Sequence, residues 1–365
     1  MAKQSASRIL DVVERNYQKF NIVNFVTALH RIAKSADGVS VLDDPRFLHL
    51  VRIIGRLCAD GHSKSDPYSL VCTLWAFAKL RYKDVELLES ISEEALRQLQ
   101  SHQDFRPQEL AQTAWAFATM QVLHHPLLAA IAEEAIRKIS DCGPQDIAIT
   151  AWSFAKLGIL HRPLMAALSS EAIRKLRDFS GQNLSNLAWA CANLPFLHGP
   201  LLDAIAAEAI AKISELTPQD LSNLAWSFAT LDFCHRPLLD SIAAEVIRKI
   251  REFNPQGLSM TAWAFSTLGL EHMPLRNAIS AAVIATLSAF KAQELANIAW
   301  SFASSGLLDR TLLDALSEAA RATISEASAS VQNISNIVWA FASSAVRDAP
   351  LLDSIAAASI ARITD

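Results

Sequence analysis

The residues of this sequence that could take part in chemistry recur at one fixed place in a repeated phrase. Five histidines and then two aspartates stand nine residues after a tryptophan, at His124, His161, His198, His235, His272, Asp309 and Asp348. Stacked helical units lie about 10 Å apart, whereas a zinc–nitrogen bond is about 2 Å long, so these side chains cannot share a metal ion. Because aspartate replaces histidine at the same place, we interpret the column as the N-terminal cap of a helix.

The sequence indicates no catalytic centre. It contains no HExxH, no GxSxG and no phosphate-binding glycine loop, and its apparent clusters of His and Glu are copies of one repeated position. We therefore predict that the protein is not an enzyme, holds no metal or cofactor and has no small-molecule substrate. The five cysteines form no CxxC pair, which is typical of free, mostly buried thiols in a reducing compartment.

A stripe of polar residues accompanies the tryptophans. With the tryptophan at position 0 of a helix, positions −7, −3, +1 and +4 fall within about 100° of arc on one side. Asparagine, glutamine, serine and threonine there can hydrogen-bond the edges of nucleic-acid bases, and the variation between units suits a reader of one base per repeat. Position +1 holds only Ala or Ser, which is expected to let a ligand approach closely. The residues assigned to RNA binding are Gln112, Asn186, Asn223, Asn297, Asn336, Lys79, Thr119, Lys156, Asn193, Thr230 and Thr267.

Other interpretations of these positions stay open. The stripe could equally be the solvated face that every helix of a solenoid needs, or a surface that docks a peptide or protein. The tryptophans are interpreted as buried wedges between neighbouring helices, with a stacking platform for bases as the alternative. Basic residues near the turns form a possible phosphate-contacting rim, at Arg81, Arg162, Arg236 and Arg310.

The elements that position these residues are repeats of about 37 residues. All eight tryptophans belong to the repeat, and their separations are 40, then 37 five times, then 39. Each unit predicts a first helix of about fourteen residues that begins at a capping residue, often followed by proline, and a second helix that begins at a proline eleven residues after the tryptophan. Glycines such as Gly158 and Gly269 mark the turn between them. Glu–Lys pairs four residues apart, such as Glu245 and Lys249, are expected on the exposed side, and the basic pairs that end the second helices are expected to interact with the helix dipole.

This pattern predicts an all-α, right-handed α-solenoid of about eight paired-helix repeats. Residues 61–365 form the tandem array, and residues 1–60 form a degenerate N-terminal cap repeat, in which 22–35 resembles a first helix and 45–58 a second, with His30 near the tryptophan position. The uncharged stretches are rich in Ser, Asn and Gln, so no membrane span is predicted. The formal net charge of −4 excludes a polycationic arm, so any contact with nucleic acid must come from a local patch.

The phrases QNLSNLAWACANL and PQDLSNLAWSFATL, with their WxFA core, resemble the octotricopeptide-type repeats of organellar RNA-binding proteins. They also resemble the helical-repeat subunits of the kinetoplastid mitochondrial RNA-editing substrate-binding complex. This resemblance implies single-stranded RNA bound on the concave side, in a mitochondrion or plastid. The chain differs from many such proteins because it has no RAP domain and its net charge is negative.

The function expected from the sequence is therefore non-catalytic binding of single-stranded RNA, in support of organellar RNA processing, stability, editing or translation. The alternative is a protein–protein interaction scaffold of the α-solenoid type, which the acidic balance and the few basic residues of the stripe favour.

Overall fold

The computed structural model describes residues 5–59, 66–101, 104–306, 310–323, 330–344 and 348–364. Within these ranges the regular structure is entirely helical. The helices are α1 Ala6–Asn16, α2 Ile22–Lys34, α3 Pro45–Ala59, α4 Pro67–Leu80, α5 Val85–Gln100, α6 Pro107–Met120, α7 His125–Arg137, α8 Pro144–Lys156, α9 Arg162–Lys175, α10 Gly181–Asn193, α11 Gly199–Ala211, α12 Pro218–Thr230, α13 Arg236–Lys249, α14 Pro255–Thr267, α15 Met273–Thr286, α16 Ala292–Ser304, α17 Arg310–Thr323, α18 Val331–Ser343 and α19 Ala349–Thr364.

The chain divides into two compact units, unit 1 (1–178) with α1 to α9 and unit 2 (179–365) with α10 to α19. From α4 onward the helices alternate between tryptophan-bearing first helices, such as α6 and α12, and second helices, such as α7 and α13. First helices pack against the next first helix, and second helices pack against the next second helix. This is the packing of an α-solenoid, and it confirms the predicted fold class. The predicted domain boundary near residue 60 adjoins 60–65, which lie outside the described residues, and stays a prediction.

The first helices begin and end as their sequences predict. In α12, the Thr217 hydroxyl accepts the Asp220 backbone N–H at 3.2 Å, and the Asp220 carboxylate accepts the Thr217 N–H at 3.1 Å. This reciprocal capping box satisfies donors that the first turn otherwise leaves free. The end of the helix needs a left-handed residue six positions after the tryptophan, and Gly158 (φ 70°), Gly269 (φ 63°) and Asp232 (φ 52°) supply it.

The histidine column caps the second helices, as predicted. Each imidazole Nδ1 accepts the backbone N–H three residues later; His235, for example, accepts from Leu238 at 3.2 Å. His124, His161, His198 and His272 do the same at 3.1 Å. The Asp348 carboxylate makes the equivalent bond to Leu351 at 3.0 Å, whereas Asp309 lies outside the described residues. The second helices begin one residue earlier than predicted, so the recurring proline stands second in the helix, where its missing N–H costs nothing.

The predicted apolar side of the first helices forms the core, but position +1 belongs to it too. In α12, Leu221 at −5 and Phe228 at +2 are fully buried. Ser227, at +1, is also fully buried, and its hydroxyl donates to the Asn223 carbonyl oxygen at 2.6 Å. The expectation that the small residues at +1 admit a ligand is therefore wrong. They lie where adjacent first helices meet, and their size lets the two backbones come close.

The Glu–Lys pairs are not on an exposed surface, contrary to the prediction. Glu245 is 7% exposed, and Lys249 bonds to it at 2.9 Å while also donating to the carbonyl oxygens of Ser214 (2.8 Å) and Leu216 (2.6 Å). Hydrogen bonds from Arg248 and Lys249 lower the pKa of Glu245 to about 2. The lysine column thus clamps the ends of α7, α9, α11 and α13 to the segment that enters the preceding first helix. The same lysine-to-carbonyl contact occurs in Lys138–Phe105, Lys175–Cys142, Lys212–Phe179 and Lys249–Leu216.

Three of the five cysteines, Cys58, Cys142 and Cys191, are buried free thiols, in agreement with the prediction that most are buried. Burial raises the pKa of Cys191 to about 12, so its sulfur stays protonated and unreactive.

Replacing Lys249 with Met is expected to lower the free energy of unfolding by about 1–3 kcal/mol, because two carbonyl oxygens lose this donor and the buried Glu245 carboxylate keeps only Arg248. Denaturant unfolding measures this change. The matched control is Arg251→Gln, which removes one positive charge from an exposed side chain two residues away. Equal unfolding curves for the two variants would contradict the clamp.

Replacing His235 with Ala is expected to cost about 1 kcal/mol of stability, because the α13 cap is lost. His235→Asp should restore most of it, since Asp348 caps α19 in the same position. Thermal unfolding of both variants tests this, and equal losses for Ala and Asp would mean that the imidazole acts through packing instead.

Candidate nucleic-acid interface

Each first helix leaves one narrow stripe open, formed by positions −7, −3, 0 and +4. In α12 these are Gln219, Asn223, Trp226 and Thr230, of which the first and last are exposed and the middle two half-buried. The remaining sides of the helix face its second helix and the neighbouring first helices. The stripe is therefore the surface through which a first helix can meet a ligand.

The structure places the predicted site residues on this stripe. The −3 residues Gln112, Asn186, Asn223, Asn297 and Asn336 are half-buried. The +4 residues Lys79, Thr119, Lys156, Asn193, Thr230 and Thr267 are exposed. The half-buried −3 residues can thus present amides close to the helix surface. The exposed +4 residues can reach a ligand that lies farther from that surface.

The tryptophans are not buried wedges, contrary to the preferred interpretation. Seven indoles are half-buried, and Trp339 is 45% exposed. The Ala or Ser at +1 is buried where adjacent first helices pack, and the indole one residue earlier lies at the edge of that contact. The rings instead lie along the stripe and approach one another: Trp226 and Trp263 have centroids 6.5 Å apart with an interplanar angle of 33°, and Trp300 and Trp339 are 6.3 Å apart at 32°.

In unit 2 the stripes of neighbouring helices line one open groove of about 450 Å³. Three indoles, Trp189, Trp226 and Trp263, form part of its wall. The amides of Gln256, Gln293 and Asn297 line it as well, together with Ser259, Met260, Lys291 and Glu294. Flat aromatic faces beside amide donors and acceptors can stack a planar ring and hydrogen-bond its edge.

In unit 1 the stripe is cationic around Trp75. The imidazole of His30 lies 4.8 Å from the indole, centroid to centroid, and the Nζ atoms of Lys34 and Lys79 lie 5.7 Å and 5.9 Å from the same centroid. Sequence analysis missed Lys34 because its helix, α2, carries no tryptophan. Alignment of His30 with the tryptophan column would have placed Lys34 at +4.

The rim arginines are exposed, but they lie at turns and helix starts and not on the stripe. Arg162, Arg236 and Arg310 are the first residues of α9, α13 and α17, and Arg81 occupies the left-handed turn position after α4 with φ 55°. A cation at a helix N-terminus opposes the helix dipole, so these arginines do not stabilise the helices that they begin.

One side chain departs from the repeat template inside unit 2. Arg276 occupies the position that Leu239 occupies in the preceding 37-residue repeat. Its guanidinium lies 4.9 Å from the Phe302 ring centroid. It donates to the Ser305 hydroxyl at 2.7 Å beside a small cavity of about 50 Å³. Comparison of that column across units would have shown this exception.

Among the described residues, no three His, Cys, Asp or Glu side chains come close enough together to hold a metal ion. None of the helices in the described ranges is both long and apolar enough to cross a bilayer.

Paired helices with one open stripe per unit define an α-helical repeat protein. The model of one family matches residues 6–310, and the chain belongs to that family, the RNA-editing substrate-binding complex 6 proteins. This confirms the predicted link to helical-repeat subunits of the editing complex, while the kinship with octotricopeptide and RAP-domain proteins stays a prediction. No curated protein sequence matches the chain.

Among solved structures, a circular tandem repeat protein with novel repeat topology and enhanced subunit contact surfaces is similar to this chain at 14% identity. The alignment covers 94% of this chain and 96% of that one, with a TM-score of 0.27.

The half-buried position of the indoles predicts unequal costs for two substitutions in α12. Phe228→Ala, in the core, is expected to lower the free energy of unfolding by about 3–5 kcal/mol. Trp226→Ala should cost about 1–2 kcal/mol, because part of the ring is already exposed to water. Denaturant unfolding compares them, and an equal loss would restore the wedge interpretation.

Proposed function

We propose that the protein is a non-catalytic subunit that binds single-stranded RNA along the open stripes of its first helices. One observation carries this proposal: the described tryptophans are partly exposed on helices whose other sides are buried. Exposed apolar surface that recurs in register is typical of a binding site. Each base that stacks on an aromatic side chain contributes about 1–3 kcal/mol, whatever its identity.

Sequence choice would come from the residues beside the indoles. Asn186, Asn223, Asn297 and Asn336 flank the rings at −3, where an amide can donate to and accept from a stacked base. Exposed hydroxyls and amides at +4, such as Thr230 and Asn193, would add contacts that differ between units. The groove of unit 2 has indoles and the −3 amide of Asn297 within one cavity, which supports the assignment of the −3 position.

Phosphate contacts would come from the basic residues that the fold does not use. Lys79 and Lys156 are exposed at +4, and the rim arginines stand at helix starts where they gain nothing from the helix dipole. Arg81 would extend the same rim. Such contacts orient an RNA strand but carry no sequence information.

The family supports a role in an RNA-editing complex. Its name refers to the binding of editing substrates, which fits a subunit that holds RNA and contacts protein partners without catalysing a reaction. A mitochondrial location follows from the same resemblance.

A protein-interaction scaffold is the second candidate, and the charge of unit 2 favours it. Its +4 residues are Asn193, Thr230, Thr267, Ser304 and Ser343, none of them basic. Along the stripes of unit 2, RNA binding would therefore depend on stacking and hydrogen bonds, with phosphate contacts left to Arg236 and Arg310 at the rim, whereas a protein partner would need no positive charge on the stripes.

The experiment is selection of single-stranded RNA from a random pool by the purified chain, at several salt concentrations. We expect a recovered motif of about eight nucleotides whose affinity falls as salt rises. Replacing Asn186, Asn223, Asn297 and Asn336 with Ala should relax the choice of sequence and leave helicity and overall affinity largely intact.

The matched control is Asn277→Ala, which removes an exposed amide from a second helix. An equal loss of affinity for every sequence in the fourfold variant would contradict base reading. No enrichment of any motif by the unmodified chain would favour the scaffold.

A further inference from the structure

The cluster around Trp75 differs from the other stripe positions because two ammonium groups approach one indole. Lys34 comes from α2 and Lys79 from α4, and both Nζ atoms lie within 6 Å of the Trp75 centroid. His30, also on α2, covers part of the ring with its imidazole tilted by 45°. Adjacent first helices thus contribute equivalent residues, at 0 and +4, to a single site.

The two positive charges of this cluster have no acidic partner in the described part of the chain. Neither Lys34 nor Lys79 forms an ion pair there, whereas Lys138, Lys175, Lys212 and Lys249 each bond to a glutamate. Burial and the charge of Lys34 lower the pKa of His30, so the imidazole adds no third charge at neutral pH. Like charges held near one aromatic ring repel each other, and an anion bound between them would relieve that repulsion.

We propose that this cluster is a nucleotide subsite, in which Trp75 stacks a base and Lys34 and Lys79 bind the phosphates that flank it. The inference rests on the proposed function and deepens it, because it assigns two phosphate contacts and one stacked base to a single place in unit 1. Tyr68, which is 53% exposed at position −7 of the same helix, provides a second aromatic face on the stripe.

The chemistry of the cluster fits a nucleotide better than an acidic peptide. A nucleotide combines a flat ring with a phosphate, and the cluster combines an indole with two ammonium groups. Lysine binds phosphate as a point charge without a fixed geometry, whereas paired recognition of carboxylates is typical of arginine. Every base has a flat π-face that can stack on the indole, whereas the side chains of aspartate and glutamate have no aromatic ring.

Unit 2 provides the internal contrast. Its groove has three indoles but only one basic side chain, Lys291, and this is accompanied by Glu294. Stacking there should be nearly insensitive to salt. The Trp75 cluster would therefore add a salt-dependent contribution to affinity that the groove of unit 2 lacks.

The test measures the affinity of the full chain for a fluorescein-labelled, 20-nucleotide single-stranded RNA of mixed sequence over a range of salt. Replacing both Lys34 and Lys79 with Gln should reduce the slope of log K against log salt by about 1.4, because each phosphate contact on a single strand contributes about 0.7. The same double variant should bind roughly tenfold or more weakly at low salt. The control double variant is Arg15→Gln with Lys19→Gln, which removes the same charge from exposed residues of the N-terminal segment and should leave the slope nearly unchanged.

Trp75 is tested separately in the background with both lysines. Trp75→Ala should weaken binding without changing the slope, and Trp75→Phe, which keeps an aromatic face, should recover part of the affinity. Circular dichroism checks that both variants fold. With 4-thiouridine in the RNA, photocrosslinking should map to the peptide that contains Trp75.

The outcomes separate the two proposals. If the unmodified chain binds RNA but the Lys34/Lys79 variant keeps the full slope, the subsite is wrong and the proposed function stands. Competition by polyglutamate as strong as by polyuridylate would overturn the subsite in favour of a protein partner. If the unmodified chain binds no RNA, the proposed function and the subsite fall together.

Discussion

The close packing of each first helix against the next is the constraint on which the rest of the structure depends. It requires Ala or Ser at +1, and Ala116, Ser227 and Ala264 are accordingly buried without measurable exposure. Because two backbones approach so closely, an indole one residue earlier cannot enter the seam and must lie on its outer edge. The small side chain at +1 that is buried between first helices therefore leaves the tryptophan of each first helix on its open stripe, where a ligand can reach it.

The charges of this chain serve two separate purposes. At the ends of the second helices, lysine, arginine and glutamate are held in clamps such as Lys249–Glu245, which join consecutive structural segments. Net charge counts all of these residues, although they are committed to the fold. What matters for recognition is the smaller set on the stripe and rim, where Lys34, Lys79 and Lys156 stand in unit 1 and no lysine or arginine stands at +4 in unit 2. A negative total is thus compatible with a locally cationic site.

The sequence predicted the starts and ends of the helices correctly. It did not predict which side chains become buried or exposed where adjacent helices pack. Helix starts and ends, including the imidazole caps such as His235, follow from chemistry within four residues and are confirmed. The exposure of Trp226 and the burial of Glu245 depend on how far apart adjacent helices lie, which a single helical wheel does not contain. Lys34 was missed because the template is degenerate in α2. The −3 and +4 site residues lie on the stripes as expected, because their spacing follows from the helical repeat alone.

The regular lysine clamp has a consequence for how such an array changes in length. From α7 to α13, four junctions join chemically equivalent groups: a lysine at the end of a second helix and a carbonyl oxygen of the segment 33 residues earlier. A gene that gains or loses one whole period recreates the same junction at the splice point, with its cap and clamp intact. Duplication within the gene can therefore add recognition modules without a new solution to the folding problem, while insertions of any other length break the clamp.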